Sequence, residues 1–265
     1  MSPLPECRTL LLELHGGVLH ITLNRPDSRN AMSLQMVSEL RTVLASVRDD
    51  RSVRALVLSG AGGHFCAGGD IKDMANARAQ GSDAYRDLNR AFGSLLEEAQ
   101  HAPQVLITVL QGAVLGGGFG LACVSDIAIA DHQAQFGLPE TSLGLLPAQI
   151  LPFVVQRIGL TEARRLALTA ARFDGHQARR LGLVHFVEQD SQALAERLDE
   201  VLQQVLCCAP EANAVTKKLL LASAGQPPCK LLDEAAQWFS EAVTGAEGVE
   251  GTMAFVQKRK PRWAT

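Results

Sequence analysis

The sequence predicts an α/β fold in which short stacked strands form a core surrounded by helices, with a helical extension at the C-terminal end. Three observations predict it. Apolar, β-branched runs alternate with helix-period segments as far as about residue 145, two of those runs end in glycine clusters, and beyond Thr161 the pattern is almost wholly helical.

Taken in order, residues 8–14 and 18–23 are strand-like runs around Gly16-Gly17, a hairpin signal, and Asn24-Arg25-Pro26 ends the second. Ser33 is placed to cap a helix running to about Asp49, with Leu34, Val37, Leu40, Val43, Leu44 and Val47 as its buried stripe. The strand at 54–60 follows, and a helical crossover between two buried strands implies parallel pairing. Asn76 to Asp83 is polar and small, and residues 74–84 read as the most mobile loop, either an ordinary surface connection or a segment that closes over a bound chain. A helix from about Asp83 to Ala99 turns Leu88, Phe92, Leu95 and Leu96 inward, and Pro103 stops it.

Residues 105–110 have the length and composition of a fully buried strand that Gly112 ends. Gly116, Gly117 and Gly118 then lead into a short buried helix carrying Phe119, Leu121, Ala122 and Val124. Residues 127–130 form another short strand, 134–140 a turn ending on Glu140, and a helix is entered near Ala148, between Pro147 and Pro152. After a turn at Asp174-Gly175 and a strand at 184–187, two or three long helices finish the chain. Their stripes are Leu194, Leu198, Val201, Leu202 and Val205, and then Leu231, Leu232, Ala235, Trp238 and Phe239. The expected organisation is a core over 1–190 and a helical, oligomer-forming region over 191–265.

With 265 residues, 47% of them hydrophobic, the chain can bury a substantial core. A formal charge of −3 gives no general pull toward nucleic acid or an anionic membrane surface, and no aromatic-basic interleaving points to RNA. Its six cysteines show no CxxC spacing, so reduced thiols and no metal site are expected. Without a membrane-length apolar run or a basic segment leading into one, the expectation is a soluble cytoplasmic protein.

Strand, glycines and helix in that order present free backbone N–H groups to a ligand, and the helix N-terminus adds positive potential where an oxygen gains charge. The stretch His64-Phe65-Cys66-Ala67-Gly68-Gly69-Asp70-Ile71-Lys72 also follows a strand, so two loops at one end of a sheet could each supply a donor. Glu140, a carboxylate in an apolar, glycine- and proline-rich turn, is the acid/base candidate. Asp70 and Asp126 read as structural, and His64, His101 and His132 as surface or core residues.

FCAGGDIK, VLGGGFGLACVSDIAIA, FGLPE and EGTMAFVQKRKPRW, in that order over nearly the whole chain, resemble the enoyl-CoA hydratase/isomerase (crotonase) family. The resemblance implies a spiral core of small, perpendicular sheets and an acyl-CoA thioester substrate, with no cofactor beyond the coenzyme A that the substrate carries. It implies a homotrimer or a dimer of trimers. The thioester oxygen would be held by the N–H groups of Cys66 and Gly117, with Glu140 as the catalytic carboxylate. Ala67, Gly68, Asp70, Ile71, Leu115, Gly116 and Gly120 would line the substrate. In NRPDSRNAMS, Arg25 is either a phosphate contact or a solvated loop arginine. Phe255 and Lys258 match positions that touch the coenzyme's adenine and phosphates at a neighbouring subunit's site.

Gly120 departs from the two-glutamate hydratase pattern, which has a second carboxylate there. Three readings therefore remain: a hydratase with one glutamate, a Δ3,Δ2-enoyl-CoA isomerase, and a noncatalytic acyl-CoA- or RNA-binding homologue, which the retained Glu140 argues against. PAQI at 147–150, the glycine at 120 and FDG at 173–175 resemble hydratases of 3-branched glutaconyl-CoA thioesters. Space left at Gly120 would admit the branch. The substrate's free carboxylate would need a donor, from Lys72, Arg86, Arg90 or a backbone N–H.

Overall fold

In the computed structural model, which describes residues 3–264, the chain opens with a hairpin of β1 (Leu10–His15) and β2 (Val18–Leu23). His15 pairs with Val18, so the turn is Gly16-Gly17 alone. Both residues have positive φ, as a tight two-residue hairpin turn requires. Helix α1 (Leu34–Val47) starts where predicted, with the Ser33 side chain accepting from the Met36 N–H. It leads to β3 (Ala55–Gly60), parallel to β2.

Helices α2 (Ile71–Gln80) and α3 (Ser82–Gln100) follow, and here the structure corrects the loop expected at 74–84. The segment is helical because Asp70 caps it through the N–H groups of Lys72 and Asp73, and because the stretch Ala75 to Gln80 consists mostly of good helix formers. Only Gly81, at φ +103°, breaks the run.

Next come β4 (Val105–Leu110), β5 (Ala113–Leu115), α4 (Gly117–Val124), β6 (Ile127–Asp131) and β7 (Gln135–Gly137). Beyond them lie α5 (Leu151–Thr169), α6 (Gly175–Arg180) and β8 (Phe186–Glu188), then α7 (Ser191–Leu206), α8 (Pro210–Ser223), α9 (Pro228–Thr244) and α10 (Ala246–Val256). Among the described residues there are thus four helices after β8 rather than two or three. Of the described helices, none is long and apolar enough to cross a membrane.

The main sheet has the order β1-β2-β3-β4-β6-β8, parallel except for the first pair, and β5 and β7 form a separate two-stranded sheet. Alternation along the strands divides the core between the two faces of the main sheet. Leu19, Ile21, Leu23, Leu56, Leu58 and Leu106 pack into the larger cluster with α1, α3 and α4. Val18, Ala55, Val57, Ile107 and Ile129 face the other way, onto Leu194, Val201, Leu202 and Val205 of α7. The first C-terminal stripe is therefore covered within the chain. The sequence boundary at 190/191 falls just before a helix that shares the core.

The second stripe divides. Leu231 is buried, whereas Leu232 and Phe239 are exposed, together with Val243, Phe255 and Val256. Two polar ties join the C-terminal helices to the sheet. Arg54 donates to the carbonyls of Leu206, Cys208 and Trp263, and Lys217 donates to the Asp126 carboxylate at 2.6 Å and to the Gln104 carbonyl at 3.1 Å. Asp126 also accepts from the Leu106 N–H, consistent with its structural reading.

Candidate active site

Strand register brings the two glycine motifs and the carboxylate together. Cys66 forms a parallel bridge with Val114, accepting from the Leu115 N–H and donating to the Ala113 carbonyl at 2.8 Å. On the other side of β5, β7 pairs in register, so Leu115 lies opposite Gly137 and the Gly116 N–H donates to the Gly137 carbonyl. Leu138-Pro139 then carries the chain over the start of α4, and Glu140 opens a single 3-10 turn, Glu140–Leu143. The approach is close. A Cβ on Gly116 would lie 2.8 Å from Glu140 Oε1 and 3.5 Å from the Cα of Gly68, and φ +48° at Gly116 separately favours glycine.

A cavity of about 360 Å3 opens in front of these loops. Gly69, Asp70, Gly117 and Glu140 form its floor. Its walls come from Met32 and Leu34 at the start of α1, Met74 of α2, a face of α3, and the segment 145–150. That face of α3 carries Tyr85, Leu88, Asn89 and Phe92, spaced as one side of a helix, so the sequence pattern had already placed Leu88 and Phe92 inward.

The donor assignment at the first loop is corrected. The Cys66 N–H is spent on Ala113, because Cys66 still pairs with β5 through Val114, and the Ala67 N–H is spent on the Arg29 carbonyl. No hydrogen bond from the Gly69 N–H occurs among the described residues, and Gly69 borders the cavity. The Gly117 N–H is at the first turn of α4, where a helix offers no internal acceptor, and it too faces no partner among the described residues. Gly69 and Gly117 are therefore the open amides. Sequence reasoning missed Gly69 because it cannot show how far β5 pairing extends into the loop.

The Cys66 thiol is buried, and burial pushes its pKa up to about 11, so it is no thiolate nucleophile near neutral pH. His64 Nδ1 accepts from the Ala113 N–H, which makes it a loop support. Among the described residues no group of His, Cys, Asp or Glu is arranged to hold a metal ion.

Glu140 has a buried oxygen, Oε2, with no hydrogen-bond partner among the described residues. Burial raises its pKa above the ordinary carboxylate value, its own backbone N–H opposing in part. Asp70 differs. It accepts from the Lys72 and Asp73 N–H groups and pairs with Arg25 Nη2 at 2.7 Å. Burial alone would raise its pKa, but these partners outweigh it and hold the carboxyl below its ordinary value.

Arg25 also donates from Nη1 to the Ala31 carbonyl at 2.6 Å, so its guanidinium is a bracket between loops, and a phosphate would have to compete for it. Ala67, Gly68, Ile71, Leu115 and Gly116 sit on the same loops, with Ile71 largely exposed at the start of α2. Phe255 and Lys258 lie at the exposed end of α10 and do not border this chain's cavity.

The room expected at Gly120 is absent. A Cβ there would meet Leu96 at 3.2 Å and Ile150 at 3.4 Å, so apolar side chains already fill the place where a second carboxylate would stand.

Residues 13–265 match the enoyl-CoA hydratase/isomerase family. The chain is 32% identical to mevalonyl-coenzyme A hydratase sidH of Aspergillus fumigatus over 258 residues, 93% of this chain and 91% of that protein. It is 31% identical to the peroxisomal Δ(3,5)-Δ(2,4)-dienoyl-CoA isomerase of Arabidopsis thaliana over 262 residues, 94% of this chain and 93% of that one. Among solved structures, Pseudomonas aeruginosa AtuE is 74% identical and superposes with a TM-score of 0.96, over 97% of this chain and 100% of that one. With its fold, its paired glycine loops and these relatives in agreement, the chain belongs to the enoyl-CoA hydratase/isomerase family, as an enzyme acting on coenzyme A thioesters.

Proposed function

We propose that this enzyme adds water reversibly to a 3-branched glutaconyl-CoA thioester, isohexenylglutaconyl-CoA in preference to 3-methylglutaconyl-CoA, with Glu140 as its single acid/base. The observation that carries the reading is the buried, unpartnered Glu140 oxygen on the same cavity floor as the open amides of Gly69 and Gly117. Adding water across the double bond places negative charge on the thioester oxygen. Two N–H donors aimed at that oxygen stabilise the enolate most where charge develops. Glu140, with its pKa raised, can take a proton from water at C3 and return one at C2 near neutral pH.

The branched substrate is supported by the resemblance at PAQI and FDG, and by similarity to a hydratase named for mevalonyl-coenzyme A, itself branched at C3. Because Leu96 and Ile150 fill the space at Gly120, the branch is accommodated along the α3 wall instead.

Double-bond migration is the competing reading. The dienoyl-CoA isomerase relative and the single carboxylate favour it. A comparison of crotonyl-CoA, a 3-enoyl-CoA and both glutaconyl thioesters, with water addition and bond migration followed separately, decides between them. Hydration fastest on the glutaconyl substrates is expected. Preference for crotonyl-CoA would overturn the branched-substrate reading, and migration without hydration would replace it with the isomerase.

A homotrimer or dimer of trimers in the cytoplasm is part of this reading. It is supported by the apolar side chains Phe239, Val243, Phe255 and Val256 left exposed on α9 and α10. Light scattering should give three or six times the chain mass.

A further inference from the structure

Resting on the glutaconyl-CoA reading above, we propose that Arg86 of α3 is the specificity-determining residue that binds the substrate's free carboxylate, with the Asn89 amide one turn further along beside it. A neutral acyl tail gains nothing from a cation in its pocket, whereas a carboxylate taken out of water needs one. Among the described residues bordering the cavity, Arg86 is the one cation.

The two aspartates that border the cavity are already engaged. Asp70 holds Arg25 and the α2 amides, and Asp73 accepts from the Leu34 N–H at 2.7 Å. Arg86 itself is only loosely held. Its Nη1 lies 3.1 Å from Asp83 and its Nε 3.3 Å from Asp87, all three side chains being largely exposed, and exposed pairs of this kind are weak. Its Nη2 has no partner among the described residues. A planar guanidinium with donors to spare can turn to grip a carboxylate with two parallel bonds.

The other candidate cations are placed elsewhere. Lys72 does not border the cavity. Arg90 does not border the cavity; it is bonded to Glu97 at 2.6 Å, and its Nη1 and the Gln149 amide both crowd the notch that Gly93 leaves in α3. Asn89, three residues after Arg86, shares its side of the helix and borders the same cavity.

The test compares 3-methylglutaconyl-CoA with 3-methylcrotonyl-CoA, which has the same branch but no free carboxylate, using the full-length wild type, Arg86→Met and Arg86→Lys. Arg86→Met should lower kcat/KM for the glutaconyl thioester by about 10- to 100-fold, the usual range for losing a charge-assisted hydrogen bond, chiefly through KM. The neutral thioester should be hydrated as by wild type, and Arg86→Lys should fall between. Equal losses on both substrates, or an undiminished preference for the glutaconyl thioester in Arg86→Met, would overturn the assignment while leaving the substrate reading intact. Wild-type enzyme unable to hydrate either 3-methylglutaconyl-CoA or isohexenylglutaconyl-CoA would overturn the substrate reading and this assignment with it.

Discussion

Two carboxylates stand on the floor of one cavity, both in glycine motifs, and their surroundings are opposite. Asp70 is bonded to a guanidinium and two amides, whereas Glu140 keeps a buried oxygen bonded to nothing among the described residues. Such partners hold a carboxylate ionised and hold its loop in shape. Burial without partners costs stability and leaves a group that can exchange a proton. The contrast separates a residue that builds the site from one that can act in it, although sequence context alone makes the two look alike.

The largest effect should come from Glu140→Gln, which keeps the size of the side chain and removes its proton chemistry. Hydration should fall by about 10² to 10⁴, with coenzyme A thioester binding retained. A variant that keeps more than about a tenth of the wild-type rate would show that Glu140 is not the principal acid/base.

Asp70→Ala should act on stability. It removes the α2 cap and strands Arg25 in a partly buried loop, at a cost of about 3 kcal/mol in denaturant unfolding. The folded pKa of Asp70 lies below its unfolded value near 3.8, so its contribution is present above that pH and lost as pH falls through the folded pKa. The penalty of the variant should therefore shrink in acid. A penalty independent of pH would mean that the ion pair contributes little.

The smallest effect is a reversal of sign. The Glu140 pKa is raised above its unfolded value near 4.5, so its stabilising contribution is present below that pH and lost as pH rises through the folded pKa. Glu140→Gln should unfold at a higher temperature than wild type at pH 7, and the gain should vanish below about pH 4.5. A destabilised variant at pH 7 would mean that Glu140 has partners in solution that equal those of Asp70.

Much of this site was legible in the residues. The strand at 105–110, the Ser33 cap, the inward face of α3 and the glycine-rich start of α4 follow from periodicity and capping, which depend on neighbours within a few positions. The lone carboxylate at Glu140 was legible for the same reason, since an acid in an apolar turn has few local ways to be satisfied.

Other features depended on distant segments. Cys66 and Gly69 offer the same backbone amide in the sequence, and only the pairing of Cys66 with β5 decides which is left open. The glycine at 120 promised space, and Leu96 and Ile150, arriving from α3 and the segment before α5, fill it. The Ser33 cap, the apolar stripe of α1, the inward face of α3 and the strand at β4 were thus determined by the sequence itself, through backbone geometry and apolar period. Which amides stay free, which arginine faces the cavity and which carboxylate goes unpartnered were decided by the tertiary structure, because each depends on whether a group remote in the chain arrives to take the hydrogen bond or the volume.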